Sequence, residues 1–436
     1  MKPLHFLLAS LLAPSLACRA EHAAMGGSST SSSAERIERD VRALVACGTR
    51  HTLSADEGGR GIAAARRYLA AELERISAER HGGRLEVRSE AHRVAPAKRL
   101  PDGADVVNVL AILPGRDPKR LVVVSGHYDS IPSDVMDARS DAPGANDDAS
   151  GTAVVLECAR LLGGLEPRAT VVFMAVAGEE QHLSGSTAQA KAWKEQGYVV
   201  EAMLTNDIVG GGRGSNGRRE PDRVRLFSEG RPSAGEEVIG SDSDSSSRQL
   251  ARFVEAAAER EVRGFDVDLV FRQDRFLRGG DHKPFNELGW AAVRFTEPNE
   301  NYDHQHQDVR VEDGRQFGDL PEFVDYDFVA RVAEANAAAL SALALAPAPP
   351  TEVQLDTRKL SPHSRLQWRA VTDGTVAGYR VRLRRTDEAR WSKSVDAGAS
   401  SELVLENTSM DDWLFAVEAY DAEGRASLPV FPKPLR

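Results

Sequence analysis

Two almost unbroken apolar runs, LVVVS at 121–125 and ATVVFMAVA at 169–177, constrain the fold of this chain more than any other feature. A strand with one wet face alternates apolar and polar residues. A run that is apolar at every position belongs to a strand covered on both faces, as in a parallel sheet with helices above and below. Between and around these runs the apolar spacing changes to three and four residues. Residues 34–47 and 60–79 read as surface helices, 150–163 as a helix joining the two buried strands, and GSTAQAKAWKEQG and SSRQLARFVEAAAER as further helices. LEVRSEAHRV, VVNVLAILPG, AMLTNDIVGG and AAVRFTEP add strands, and EFVDYDFVARVAEANAAALSALALA forms a last long helix. The expectation is an α/β domain with a mixed, largely parallel sheet sandwiched by helices. Residues 211–248, rich in Gly, Ser, Arg and Asp around the strand VRLFSEG, read as a solvated insertion at one edge.

At 436 residues the chain exceeds what one core organises, and APAPP at 346–350 marks the break. Beyond it, RLQWRA, AGYRVRLRR, ARWSKSVD, SELVLE and WLFAVEAYD alternate at short intervals, which predicts a C-terminal all-β sandwich over 350–436. Its pattern of Leu366, Trp368, Tyr379, Val381, Phe415 and Val417 resembles fibronectin type III modules, which bind or space and carry no catalytic group.

The formal charge of −11, with no basic run, excludes nucleic acid as a partner. MKPLHFLLASLLAPSLA at 1–17 reads as a signal peptide, so export is expected, to the periplasm, to a lipid anchor or to the medium of a bacterium. Cys18 follows Ser15-Leu16-Ala17, a bacterial lipoprotein box except for Ser15. A lipid anchor at Cys18 and simple cleavage after Ala17 are the two readings. Residues 18–33, with GGSSTSSS, form a polar linker, and Cys47 and Cys158 sit in amphipathic helices as buried free thiols.

The buried strand VVVSGHYDS ends on His127, with Asp129 two residues later. GANDDASG places Asp147 and Asp148 at the entrance to the following helix, and AVAGEE ends the next strand on Glu179 and Glu180. Asp207 closes AMLTND, and His304 lies in NYDHQHQD. Divalent metals need imidazole and carboxylate donors brought together, and strand ends in α/β sheets converge on a crevice. A single buried histidine is ordinarily structural; this set at successive strand ends points to metal.

These motifs, with GGDHKPFNELGWAAVRFTEP, resemble in order those of the dinuclear zinc exopeptidases of peptidase family 28, across residues 34–345. The resemblance implies the zinc exopeptidase fold and two Zn2+ per chain. His127 and Asp207 would hold one ion, Glu180 and His304 the other, and the Asp147 carboxylate would bridge them, aimed by a cis peptide bond between Asp147 and Asp148. Asp129 would fix the His127 tautomer, and Glu179 would act as general base towards a zinc-activated water. His304 is preferred to His306 because it lies four residues before Asp308, the family's spacing. Tyr302, displaced by one from the family's tyrosine, is a candidate donor to the oxyanion. His282 and His182 read as structural, pocket-lining or surface residues. The implied activity is release of N-terminal residues from peptide or protein substrates. The alternatives on this fold are a glutaminyl cyclase, a carboxypeptidase using Arg278 and Arg294 as a carboxylate clamp, and a catalytically dead binding protein.

Overall fold

A computed structural model describes residues 32–56, 58–229 and 244–436; the signal peptide, Cys18 and nearly all of the polar linker lie outside the described residues. The enzyme-sized part contains helices α1 (Ala34–Val45), α2 (Ile62–His81), α3 (Gly151–Leu161), α4 (Ser184–Glu195), α5 (Ser246–Glu261), α6 (Lys283–Glu287) and α7 (Tyr326–Leu345). They surround a sheet of β1 (Glu86–Val94), β2 (Ala104–Leu113), β3 (Asp117–His127), β4 (Ala169–Val176), β5 (Val199–Asn206), β6 (Arg223–Ser228), β7 (Asp266–Val270) and β8 (Ala292–Thr296). The strand order is β1-β2-β4-β3-β5-β8-β6-β7. The four central strands, β4, β3, β5 and β8, run parallel, while β2 and β6 flank them antiparallel. β7, which composition alone did not mark as a strand, pairs parallel with β6.

The apolar runs divide their side chains between two cores. Val122, Val124, Val171 and Phe173 join the larger core under α1, α2, α3, α5 and α7. Leu121, Val123, Val172 and Met174 face the smaller core with Trp193 of α4 and Phe285 of α6. Period-two alternation is thus present but silent, because both faces are dry. α7 is long and apolar enough to cross a membrane by composition; here it packs against α3, α5, β3 and β4 as a core helix.

Two glycines let the chain bring carboxylates against His127. A Cβ on Gly126 in β3 would lie 2.4 Å from the Gly151 carbonyl carbon, and one on Gly151 would lie 2.3 Å from the Asn206 oxygen. The start of α3 therefore presses directly on the ends of β3 and β5, a contact any side chain would block.

α7 ends at Leu345, and after Ala346–Pro350 the chain forms two facing sheets. A short hairpin, β9 (Arg310–Glu312) with β10 (Arg315–Phe317), precedes α7. The C-terminal strands are β11 (Thr351–Asp356), β12 (Ser364–Arg369), β13 (Gly378–Arg385), β14 (Lys393–Gly398), β15 (Glu402–Leu405), β16 (Trp413–Tyr420) and β17 (Lys433–Leu435). They are ordered β15-β12-β11-β17 and β14-β13-β16, antiparallel except where β17 lies parallel to β11. Leu366, Trp368, Tyr379, Val381, Phe415 and Val417 share the core between the sheets. The sandwich docks on α5 and the residues just before it through polar contacts: Trp391 Nε1 donates to Gln249 at 3.0 Å, Arg390 pairs with Glu255, and Arg384 pairs with the buried Asp244 ahead of the helix. Cys47 and Cys158 are buried and free.

Candidate metal centre and cleft

The site lies at the carboxyl ends of β4, β3 and β5, three neighbours in the sheet, where the chain leaves β3 towards one side and returns to the other. β3 ends on His127, the loop after β4 carries Glu179 and Glu180, and Asp207 follows β5. Asp147 arrives from the turn before α3, and its peptide bond to Asp148 is cis.

His127 Nε2 lies 3.1 Å from Asp147 Oδ1 and 3.9 Å from Asp207 Oδ1. On the other side, His306 Nε2 lies 2.9 Å from Asp147 Oδ2 and 2.9 Å from Glu180 Oε1. Asp147 thus offers one carboxylate oxygen to each of two donor groups, His127/Asp147/Asp207 and Asp147/Glu180/His306, and each group lies within 4.8 Å. Donor atoms bound to a tetrahedral zinc at about 2.0–2.1 Å sit roughly 3.3 Å from one another, so both groups have the right chemistry and spacing for such an ion.

The backbone is held by carboxylates that do not enter the donor groups. Asp129 accepts from the N–H groups of Glu179 (3.2 Å) and Glu180 (3.1 Å). His127 Nδ1 faces the Asp129 carbonyl oxygen at 3.2 Å, with the carboxylate at 3.5 Å, which leaves Nε2 for the site. Asp148 accepts from His127 N at 2.9 Å and Ile208 N at 3.3 Å, tying β3 to the Asp207 segment. Asp319, which no local motif marked, accepts from Asp147 N at 2.7 Å and Asn146 N at 2.9 Å. Glu297, directly after β8, accepts from Asn146 Nδ2 and Gly211 N; its position at a strand end was the signal available for it.

Concentrated acid dominates the electrostatics. Burial, reinforced by Asp207 and Asp147, raises the Asp148 carboxyl well above the ordinary range. Burial raises Glu179 in the same direction, with Asp207, Glu180 and Asp281 adding to it. Burial alone would lower His127, but its hydrogen bonds to Asp129 and Asp147 outweigh that and raise it. Divalent cations are the natural relief for such crowding. Arg294, buried in the same wall, supplies part of the compensation: its Nη2 lies 2.7 Å from Asp207 Oδ1 and its Nη1 lies 3.0 Å from Asp274 Oδ2.

One expectation from the sequence is corrected. His304 does not enter the donor set; its ring stacks on Phe323 with centroids 3.7 Å apart and an interplanar angle of 9°. The loop turns back through His304 N and Gln305 N to the Asn301 carbonyl, and His306 adopts a left-handed backbone, φ 52°, that brings its imidazole into the site. Asp308 was an unsound ruler for the spacing, because its carboxylate is spent on Ser133 N and Oγ. Tyr302 is 60% exposed and is not among the residues lining the cleft. His282 is a buried structural residue, its Nε2 at 2.9 Å from the Gln273 carbonyl. His182 is exposed at the cleft edge. His306→Ala is expected to lower bound metal by one ion per chain with turnover lost, and His304→Ala to leave stoichiometry intact; metal analysis of both variants distinguishes them.

A cleft of about 390 Å³ opens over Asp147, Glu179, Glu180, Asp207 and His306. This arrangement, an α/β sheet with its crevice at parallel strand ends and paired His/carboxylate donor groups, defines the class of α/β proteins that carry a metal centre at their strand ends. Solved structures agree on the fold. A Legionella pneumophila LapA aminopeptidase superposes with a TM-score of 0.52 at 18% identity, covering 72% of each chain. A leucine aminopeptidase precursor from Bacteroides thetaiotaomicron gives 0.52 at 18%, covering 72% of this chain and 98% of that one. A glutaminyl cyclase from the same organism gives 0.50 at 17%, with the same coverage, so the fold does not choose between chemistries. The profile of Peptidase family M28 matches residues 108–312. A protein named probable zinc metalloprotease from Leptosphaeria maculans is 44% identical over 411 residues, covering 92% of this chain and 95% of that one. A namesake from Pyrenophora teres f. teres is 44% identical over 413 residues, covering 92% and 85%. The chain belongs to peptidase family M28.

Proposed function

We propose that this protein is a zinc-dependent exopeptidase that binds two zinc ions and removes N-terminal residues from peptides. The observation that carries the reading is the division of Asp147, one oxygen towards His127 and Asp207 and the other towards Glu180 and His306. The relatives named probable zinc metalloproteases support the choice of metal. Bound there, zinc supplies a Lewis acid for the scissile carbonyl and a water acidified towards neutral pH.

The rest is done by the chain's own groups. Glu179 lines the cleft beside the donor groups, with its backbone N–H fixed by Asp129, and its carboxylate would take a proton from the attacking water and return it to the leaving amine. Asp129, Asp148 and Asp319 hold the donor-bearing backbone in register, so little reorganisation is needed when substrate binds. Export by the first 17 residues, with either a lipid anchor at Cys18 or simple cleavage after Ala17, and a fibronectin type III-like docking or spacing role for the sandwich belong to the same reading. Metal analysis of the purified protein, with hydrolysis of N-terminal, C-terminal and N-terminal glutaminyl substrates before and after chelation, tests it. About two zinc ions with chelator-sensitive release of N-terminal residues is the expected result. One zinc with glutamine cyclisation would replace the reading.

A further inference from the structure

Beside the carboxylates of the metal centre, the cleft is lined by arginine and lysine side chains, in a chain whose formal charge is −11. Five basic side chains line it, and they divide into two kinds. Arg294 and Arg275 are neutralised locally, the first by Asp207 and Asp274, the second by Asp274 and Glu300. Arg99, Arg278 and Lys283 have no carboxylate partner among the described residues. Arg278 Nη2 donates to the neutral side chain of Gln305 at 2.8 Å, and Arg99 donates to the backbone carbonyl of Glu180. All three are half-buried, where a cation loses part of its hydration and gains most from an anionic partner. A surface lysine or arginine needs no such partner; three of them sharing one concavity with Glu179 are placed to receive one.

We infer that this wall is a substrate subsite for a carboxylate, with Arg278 and Lys283 as its principal contacts and Arg99 at its edge. The inference rests on the exopeptidase reading and adds a substrate class to it. Arg278 presents a planar fork suited to a carboxylate, and Lys283, at the first position of α6, supplies a point charge. Arg294, the other arginine the sequence offered as a clamp, is held by Asp207 and Asp274 and is not free for substrate. The exposed Phe276 and Leu277, on the same loop as Arg278, add an apolar rim.

The carboxylate has two sources, an acidic side chain on the substrate or the free α-carboxylate of a short peptide. Zinc-loaded full-length protein should be assayed on short peptides that begin with Glu, Gln or Leu, each with a free or an amidated C-terminus. Preference for Glu over Gln by about tenfold or more in kcat/KM, in both C-terminal forms, identifies the side chain. A similar preference for free acid over amide, whatever the first residue, identifies the α-carboxylate. In either arm Arg278→Gln should bring the ratio close to one, chiefly through KM, and Arg278→Lys should retain part of it. Lys283→Met supplies an independent variant with the same expected direction. Hydrolysis with both ratios near one in the wild-type protein overturns the inference and leaves the exopeptidase reading standing. Absence of hydrolysis of every peptide overturns both.

Discussion

Glu179→Gln is expected to keep the wild-type metal content and to lose about 10²- to 10⁴-fold in kcat, the range of a positioned general acid–base group. The substitution is nearly isosteric and leaves the backbone N–H of residue 179 on Asp129 Oδ1. The Glu179 side chain lies outside both Asp147-centred donor groups, while its carboxylate comes within 4.8 Å of donor atoms of His127 and Glu180, so metal content decides between base and ligand. An amide cannot accept the proton of the attacking water, so the loss should fall on kcat with KM little changed. Metal analysis and steady-state kinetics on the same preparation check it. A variant that loses an ion would make Glu179 a ligand, and one with near wild-type turnover would remove it from the mechanism.

Much of this site is readable in the sequence because of where the parallel sheet puts its side chains. His127 ends an apolar strand, Asp207 directly follows one, and Glu179 and Glu180 lie within four residues of the end of another; strands that run in the same direction bring those ends together. Asp147 was legible for a related reason, since it stands at the entrance to the helix that follows β3. The last donor was not. His304 and His306 lie in a loop without regular structure, where spacing along the chain carries no fixed direction, and a positive φ at His306 with a ring stack at His304 decides between them. Asp319 was invisible for a stronger reason. It serves Asp147 from 172 residues away, and nothing in its own neighbourhood reports that. The two-sheet sandwich was visible in outline, because Trp368, Tyr379 and Val417 alternate with polar neighbours, whereas its docking on α5 rests on charged contacts that look like ordinary surface.

The second large effect is expected far from the metal centre, at Arg160. This arginine lies on α3 with its side chain 4% exposed, and it meets three carboxylates: Asp40 Oδ2 at 2.6 Å, Glu157 Oε2 at 2.9 Å, and Glu72. Asp40 and Glu157 are themselves fully buried. Arg36, Arg39 and Arg75 hold the same acids from the rim, so the network ties α1, α2 and α3 together. Arg160→Met removes the central cation, leaves Asp40 Oδ2 buried without a partner and reduces Glu157 Oε2 to the longer bond from Arg36 Nε at 3.3 Å, a loss of about 3–5 kcal/mol for a broken buried pair. The rim arginines remain, which favours the lower end. The cost should also depend on pH in a definite direction. Burial alone would raise the Glu72 carboxyl, but its hydrogen bonds from Arg75 and Arg160 reverse that and hold it down at about 2. A carboxyl depressed in the folded state contributes fully above its unfolded value of about 4.3 and loses the contribution as pH falls towards 2. Without Arg160 the depression is smaller, so the wild-type advantage over Arg160→Met should be largest above about pH 5 and shrink as the acid is titrated. Urea unfolding of both proteins at a series of pH values measures this. An advantage that stays constant or grows on acidification would mean that packing of the arginine stem, and not its charge, holds the three helices.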